Sequence, residues 1–550
     1  MASGFSRTYM KRAIALLTWI HRYLGLAFCL IFVIWFASGL VMIYARMPEY
    51  GAAERLARLA PLDSASIKLT PAQALEQATL ADAPARIRIS TFRSRPVYRF
   101  FVQGEWVTVF ADEGSVLEQL SGNDAVAVVR DTFPSARSTA RFVDTLREPD
   151  QWTIGMRAGG PLHVVSLGDA ADTNVYVASD TGEIVLKTDR SSRFWGYAGP
   201  VMHWFYFRPL RVKGEVWYDL VVYSSVVGCV LCVIGLVIGI YRYSLSRIRA
   251  GVSGTPYVGS LRWHHYAGLI FGVITFTWLF SGLLSMEPWG ISADAAPRRD
   301  QVVAIRGDGV DAGRFTMTVQ QVLETVRHEP NVEARAELTR RAHALDREAP
   351  QAQRQGSFGS VKEIELIQFM DAPFYRVQDQ DGRTLLLTAD SGPSIKNGFT
   401  EKELRTAAGA AMPDVRVQDA AWLTRYDGYY YDRAGERPLP VLRVKYADAD
   451  ESWLYFSARD GGLVLRETGA GRRVRWLYHG LHSLDFPGLY QAGWVWDAVM
   501  ITLCVGGLLL SLTSVIVGWR VLRAGLKARP YTDKMFRISS DRGRSASEYY

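Results

Sequence analysis

Hydrophobic positions gather into four long blocks along this chain, separated by two long regions in which apolar and polar residues mix. About 20 apolar residues in a helix cross the roughly 30 Å hydrocarbon core of a bilayer. The blocks reach that length and predict membrane-spanning helices at residues 13–45, 216–242, 263–287 and 494–520. Between them lie two large regions, 46–215 and 288–493, and three short segments, 1–12, 243–262 and 521–550. The pattern is that of a membrane α-helical protein with two sizeable folded loops.

The first and third blocks repeat one phrase. W-I-H-R-Y-L-G-L, closing in W-F-A-S-G-L, returns as W-H-H-Y-A-G-L, closing in W-L-F-S-G-L. A constant offset aligns His21 with His264, Tyr23 with Tyr266, Gly25 with Gly268, Trp35 with Trp278 and Ser38-Gly39 with Ser281-Gly282. The segments leading into the second and fourth blocks also align, His203 with His482, Phe207 with Phe486, Leu210 with Leu489 and, after a one-residue gap, Asp219 with Asp497. The chain therefore reads as two duplicated halves in parallel orientation.

Charge sets the expected topology. Arg7, Lys11 and Arg12 precede the first span, Arg242, Arg247, Arg249 and Arg262 lie between the second and third, and Arg520, Arg523, Lys527 and Arg529 follow the fourth. The positive-inside rule puts both termini in the cytoplasm and both large regions outside it. The net charge of +8 follows from this topology, and the mixed charge of the large regions gives no basis for binding nucleic acid. The first span is too long for a signal-peptide core and reads as a retained anchor. All four cysteines, Cys29, Cys229, Cys232 and Cys504, fall in spans, so the exported regions are expected to rely on apolar cores. Cys229-x-x-Cys232 reads as two small residues of a membrane helix.

Each large region predicts two small α+β units: a helix, alternating strands and a closing Asp/Gly turn. The first opens at Thr70-Pro71, continues through R-I-R-I-S-T-F and W-V-T-V-F, and turns at Asp112-Glu113-Gly114. The second turns at Asp180-Thr181-Gly182. The third starts at Phe315-Thr316 and runs through D-Q-D-G to T-A-D-S-G, and the fourth starts at Phe399-Thr400 and turns within S-A-R-D-G-G. Residues 329–359 are charged and predict an exposed insert or linker. The helix-and-hairpin units resemble PepSY domains, and the histidine-headed spans resemble the PepSY-associated transmembrane family across nearly the whole chain. That resemblance implies a multi-pass protein of the bacterial inner membrane with two periplasmic PepSY-like regions. Some family members resemble haem-containing reductases of ferric siderophores.

Six of the nine histidines stand at span borders. His21 and His264 begin spans on the cytoplasmic side, whereas His203 and His482 precede spans on the outer side. His163, His328 and His343 read as ordinary loop or domain positions. A lone interfacial histidine is water-facing or part of an aromatic belt, but four matched ones at two depths read as ligands of haem iron or another metal. A b-type haem needs imidazoles on opposite faces of its ring and a dry slot between helices. The repeat predicts two such haems, one near each membrane face, held by His21 with His264 and by His203 with His482. Spacing leaves His265 and His479 open as alternates. Gly25, Gly39, Gly268 and Gly282, with Ser38 and Ser281, would let backbones approach the macrocycle or pack helices closely. Arg22 and Arg262 could pair with propionates or simply anchor the helices. Asp219 and Asp497, beside Trp217 and Trp496, fit a proton path or a wet interface. No C-x-x-C-H occurs, which excludes covalent haem attachment.

The expected function is transmembrane electron transfer to a periplasmic acceptor. The resemblance implies a ferric siderophore or another ferric chelate as acceptor, docked on the PepSY-like domains. The stretch D-G-Y-Y-Y-D-R (residues 427–433) is a candidate contact, or else a tyrosine-rich hairpin. No nucleotide, flavin or hydrolase motif is present and no catalytic side chain is identified, so electrons would come from a membrane quinol or a cytoplasmic flavoprotein. A non-enzymatic reading competes: PepSY domains on a membrane anchor that bind or restrain an exported peptidase or envelope partner. A metal transporter is a third reading, weakened by the parallel halves and the lack of a broken helix.

Overall fold

The computed structural model describes residues 2–156, 160–288, 296–327, 358–389, 394–433 and 435–526. His328, His343, most of the expected insert at 329–359, the turn at 390–392 and the basic tail from 527 lie outside these residues. The chain forms two compact units. One comprises Met1–Met47, Phe194–Ser292 and Arg473–Tyr550, the other Pro48–Arg193 and Ala293–Arg472.

The first unit contains four long helices: α1 (Ala2–Met42), α2 (Gly214–Arg242), α3 (Ser260–Ser285) and α4 (Trp494–Leu526). All four are long and apolar enough to cross a membrane. Helices α1 and α4 extend beyond the predicted hydrophobic blocks, because hydrogen bonding within a helix does not stop where the side chains become polar. The four cysteines are free.

The second unit is built from antiparallel strands and short helices. Its four main helices, Pro71–Ala78, Gly122–Thr132, Val319–Arg327 and Glu401–Ala411, each begin at a reciprocal side-chain cap. Thr70 with Gln73, Ser121 with Asp124, Thr318 with Gln321 and Thr400 with Glu403 satisfy otherwise unbonded amides at the helix starts. The third cap is Thr318. Thr316, where the unit was expected to open, instead donates its hydroxyl to Ala389 O.

The four expected units do not stand as separate sheets. Strands β1 (Arg86–Phe92), β2 (Arg95–Val102) and β3 (Glu105–Phe110) join β8 (Val361–Phe369), β9 (Ala372–Asp379), β10 (Thr384–Thr388) and β11 (Ile395–Lys396). Together they form one seven-stranded sheet ordered β11-β10-β9-β8-β1-β2-β3. Pairing β1 with β8 removes two exposed edges that would otherwise invite association. The remaining strands form two four-stranded sheets. These are β4 (Arg141–Leu146), β5 (Leu162–Ser166), β6 (Asn174–Ala178) and β7 (Ile184–Thr188), and β12 (Val417–Leu423), β13 (Val441–Tyr446), β14 (Trp453–Ser457) and β15 (Leu463–Glu467).

Alternation along β1 and β8 divides the side chains between two faces. Ile87, Ile89, Ile364 and Leu366 pack with Tyr98, Tyr375, Ala74, Val322 and Leu323 in an apolar layer. Arg88, Arg99, Glu363, Glu365 and Arg376, also buried or half-buried, carry ion pairs. Arg88 lies 3.0 Å from Glu183 and 3.5 Å from Glu363, and Arg86 lies 2.9 Å from Glu365. Arg376 bonds Glu365 and stands 3.3 Å from Asp460. Burial raises the Glu183 carboxyl, but Arg99, Arg88 and Arg55 outweigh that and hold it down at about 2.

The tyrosine-rich stretch is largely internal packing. Tyr430 is fully buried, stacks on Tyr455 with ring centres 5.0 Å apart and donates to Pro438 O. His163 is also internal, with one ring nitrogen 2.9 Å from Thr145 Oγ1 and the other 2.7 Å from Leu120 O.

Two outcomes follow for this unit. A carboxyl held at about 2 when folded and titrating near 4.5 when released contributes stability that is complete above pH 4.5 and is lost as pH falls toward 2. Thermal melts of the full chain in detergent from pH 7 to pH 3 should show a falling midpoint that Glu183→Gln makes shallower, on a lower baseline by about 3–5 kcal/mol. Gly182 has φ +66° and a Cβ there would stand 2.2 Å from Phe92 Cε2. Gly182→Ala should lower stability by about 1–3 kcal/mol, measured as a reduced melting midpoint.

Candidate functional site

Helix α1 carries His21 near its cytoplasm-predicted end and Ser38-Gly39 near the other, 17 residues on. At 1.5 Å per residue these positions are roughly 26 Å apart along the helix. Helix α3 repeats the arrangement with His264 and Ser281-Gly282.

His21 and His264 face each other with ring centres 6.2 Å apart and planes inclined by 40°. Their Nδ1 atoms are held from outside the pair. His21 Nδ1 lies 3.3 Å from Leu231 O, and His264 Nδ1 lies 3.3 Å from both Thr513 Oγ1 and Ser514 Oγ. Neither Nε2 has a hydrogen-bond partner among the described residues. The pair lines a cavity of about 210 Å³ whose wall is mainly apolar, with Phe32, Leu236 and Leu269 beside Gly25, Gly235, Gly268 and Gly272. A Cβ at Gly25 would meet nothing within 4 Å, and one at Gly268 would meet only Leu510 at 3.8 Å, so both glycines border open space. Gly235 has another role: a Cβ there would stand 2.7 Å from His21 Cε1.

His203 and His482 form the other pair, with ring centres 6.1 Å apart and planes inclined by 75°. Each follows a single π-helical turn, Tyr197–Val201 or Trp476–Gly480, the kind of local widening that often accompanies a functional site. Two residues after each histidine the backbone turns left-handed, at Phe205 (φ 52°) and Leu484 (φ 51°). That conformation is uncommon for bulky residues, and it reverses the chain before the proline-containing turns Arg208–Arg211 and Pro487–Tyr490.

The duplicated Ser-Gly seats this second pair. His203 Nδ1 lies 3.2 Å from Trp35 O and 3.1 Å from Ser38 Oγ, and His482 Nδ1 lies 3.2 Å from Trp278 O and 3.0 Å from Ser281 Oγ. A Cβ on Gly39 would approach His203 Cε1 to 3.4 Å, and one on Gly282 would approach His482 Cε1 to 3.5 Å. Again neither Nε2 has a hydrogen-bond partner among the described residues. Of the glycines expected beside a macrocycle, Gly25 and Gly268 line a cavity, whereas Gly39 and Gly282 make room for imidazoles.

The alternates separate on geometry. His265 is buried and uses both nitrogens, Nδ1 at 2.6 Å from Thr255 Oγ1 and Nε2 at 2.9 Å from Gly239 O. It fastens the segment between α2 and α3 and has no nitrogen left for a metal. His479 is exposed and packs its ring on Tyr478 at 4.7 Å. Arg22 lines the cavity beside His21, with a buried Nε that has no hydrogen-bond partner. Arg262 is exposed and does not line it. Asp219 is exposed and Asp497 half-buried.

Residues that sequence reasoning missed hold the turns that follow His203 and His482. Trp217 Nε1 donates to Trp204 O and Trp496 Nε1 to Ser483 O, each at 2.8 Å. These carbonyls belong to the residues immediately after His203 and His482. The recurrence of both tryptophans beside the aligned aspartates is the signal in the sequence that marks them.

Imidazoles on opposite sides of one iron have ring centres roughly 6.2 Å apart, from two bonds of about 2.0 Å and about 1.1 Å from each nitrogen to its ring centre. Both pairs have that separation. A histidine that ligates a metal characteristically donates its other nitrogen to a carbonyl or similar acceptor, and all four have such a partner at Nδ1. By separation and by the nitrogen left without a partner, each pair could supply two imidazoles to one iron.

Fold and site thus define a multi-pass membrane protein with α+β soluble parts and two opposed histidine pairs in its helical unit. The family model for the PepSY-associated TM region matches residues 18–521, and the chain belongs to that family. A comparison with curated proteins finds no match.

Trp217→Phe retains an aromatic ring and removes one donor. It should cost about 0.5–1.5 kcal/mol, seen as a lower melting midpoint, and an unchanged midpoint would mean that water replaces the indole.

Proposed function

We propose that this protein is a haem-dependent oxidoreductase that carries electrons across a bacterial inner membrane to a periplasmic acceptor, a ferric siderophore or another ferric chelate. His21 and His264 would hold one b-type haem and His203 and His482 a second. The observation that carries this reading is the shared geometry of four histidines, each with Nδ1 against a protein oxygen and Nε2 without a hydrogen bond, in two pairs with centres near 6 Å.

Bound haem supplies a reversible one-electron iron couple. The protein's own contributions follow from the geometry. The Nδ1 contacts fix ring orientation, and a carbonyl or hydroxyl partner keeps the proton on that nitrogen so that Nε2 presents its lone pair. The apolar wall around His21 and His264 excludes water. Arg22 is placed to offer a guanidinium to a propionate. Reduction of a ferric chelate lowers the charge on iron and weakens its attraction to hard oxygen ligands, which releases the metal.

Arginines between α2 and α3 and after α4 support termini in the cytoplasm by the positive-inside rule. Electrons would then enter on the His21 side, from a quinol or a cytoplasmic flavoprotein, and leave on the His203 side.

An absorption spectrum of the purified protein, before and after dithionite, tests the proposal. A Soret band and a sharpened reduced α-band are expected. His21→Ala and His203→Ala should each remove about half the haem and leave different reduced spectra, whereas His265→Gln should leave both haems in place. A preparation without a Soret band, after expression with haem supplied, overturns the reading in favour of a membrane-anchored binding protein. Loss of all haem in either alanine variant overturns the two-site assignment.

A further inference from the structure

A polar cavity of about 260 Å³ lies within the α+β unit. It sits among the short helix Ala52–Arg58, the β1–β2 turn, the helix Gly122–Thr132 and the turn at 180–182. Arg55, Arg58, Arg93 and Arg99 line it, together with Asp131 and Glu183.

Following the ion pairs outward from the cavity gives a charge excess. Glu54 pairs with Lys187 at 2.6 Å and with Arg58 at 3.1 Å. Glu363 pairs with Arg55 at 2.8 Å and Arg88 at 3.5 Å, Glu183 with Arg88 at 3.0 Å and Arg99 at 3.8 Å, and Asp131 with Arg93 at 2.8 Å. Among the described residues, six cations share these four carboxylates. Two positive charges are left over in a place where most of the side chains are substantially buried. Buried charge is costly unless it is paired.

Unused donors show where a counter-charge would fit. Arg99 is 2% exposed: its Nη groups bond Ser90 Oγ and Thr181 O, and its sealed Nε has no hydrogen-bond partner, so it adds positive charge to the cavity wall. Arg58 and Arg93 spend their Nε atoms on Glu54 and Asp131. Their paired Nη groups have no hydrogen-bond partner among the described residues, and such forks match oxyanions in a bidentate way. Both side chains are partly exposed, at 35% and 43%, which leaves the cavity reachable from solvent.

We infer that this cavity binds a small dianion that presents oxyanion oxygens, of the phosphate or polycarboxylate kind, through the guanidinium forks of Arg58 and Arg93, with the buried charge of Arg99 in the wall adding to the attraction. The site is independent of the haem reading and stands or falls without it.

Calorimetric titration of the full chain in detergent tests it, with inorganic phosphate in one arm and succinate in the other, and chloride holding ionic strength constant. One-to-one saturable binding of either anion is expected, and the arm that saturates identifies the preferred kind. Arg58→Ala/Arg93→Ala should raise the Kd at least tenfold while the melting midpoint of the ligand-free protein stays within a few degrees. Should the double variant misfold, Arg93→Gln, which disturbs only the exposed pair with Asp131, should raise the Kd about tenfold by itself. Failure of both anions to bind wild type, or equal binding by wild type and a folded variant, overturns the inference.

Discussion

An imidazole has two ring nitrogens, and fixing one against a protein oxygen determines what the other can do. In this protein that constraint is applied four times within an apolar helical unit. A ring nitrogen without a partner in apolar surroundings is costly. A single such atom could be tolerated as a packing imperfection. Four of them in two facing pairs, each held by a contact on the opposite side of its ring, require the surrounding helices, turns and glycines to be placed for them. His265 makes the contrast within one helix, because it satisfies both nitrogens and serves only as a fastener.

Much of the local architecture follows from seating these rings. A histidine on a straight spanning helix is easily placed, as His21 and His264 show. His203 and His482 must enter from the end of the unit, on chain that then reverses into another spanning helix. The π turn, the left-handed residue two positions on and the indole bond to the adjacent carbonyl together make that reversal. The duplicated phrase is consequently bipartite. Its leading histidine supplies a ring to one pair, and its closing Ser-Gly supplies a hydroxyl and an empty Cβ position to the other.

The spans were legible in sequence because bilayer thickness imposes a run length that few other segments reach. The histidine pairs were legible as candidates because two helices entering from the same side carried them at matching offsets. The roles of Ser38 and Gly39 were not, since a small residue in a spanning helix has the same appearance whether it meets a helix, a cofactor or an imidazole. His264 and His265 could not be separated by spacing, because adjacent helical residues diverge by about 100° and only the partners show which one faces the other helix. In the α+β unit, helix caps and alternating strands were local signals. The β1–β8 pairing was invisible because it joins strands more than 250 residues apart, and nothing in either strand names its partner.

That pairing is nevertheless chemically specified. Each of β1 and β8 is the first strand of its region, and they run antiparallel with Ile87 opposite Leu366, Arg88 opposite Glu365 and Ile89 opposite Ile364. An antiparallel pairing of two identical strands sets like residues against like near its centre, and identical charges there would repel. Here the central position is arginine on one strand and glutamate on the other, while the flanking positions are aliphatic on both. The two regions can therefore share a backbone pattern and an apolar face, while β8 brings carboxylates to β1, Glu363 to Arg88 and Glu365 to Arg86. In the same register, a β1 strand meeting its own copy would oppose Arg88 with Arg88, and a β8 strand would oppose Glu365 with Glu365. Opposite charge at one cross-strand position thus favours closure of the seven-stranded sheet over edge-to-edge association of like strands.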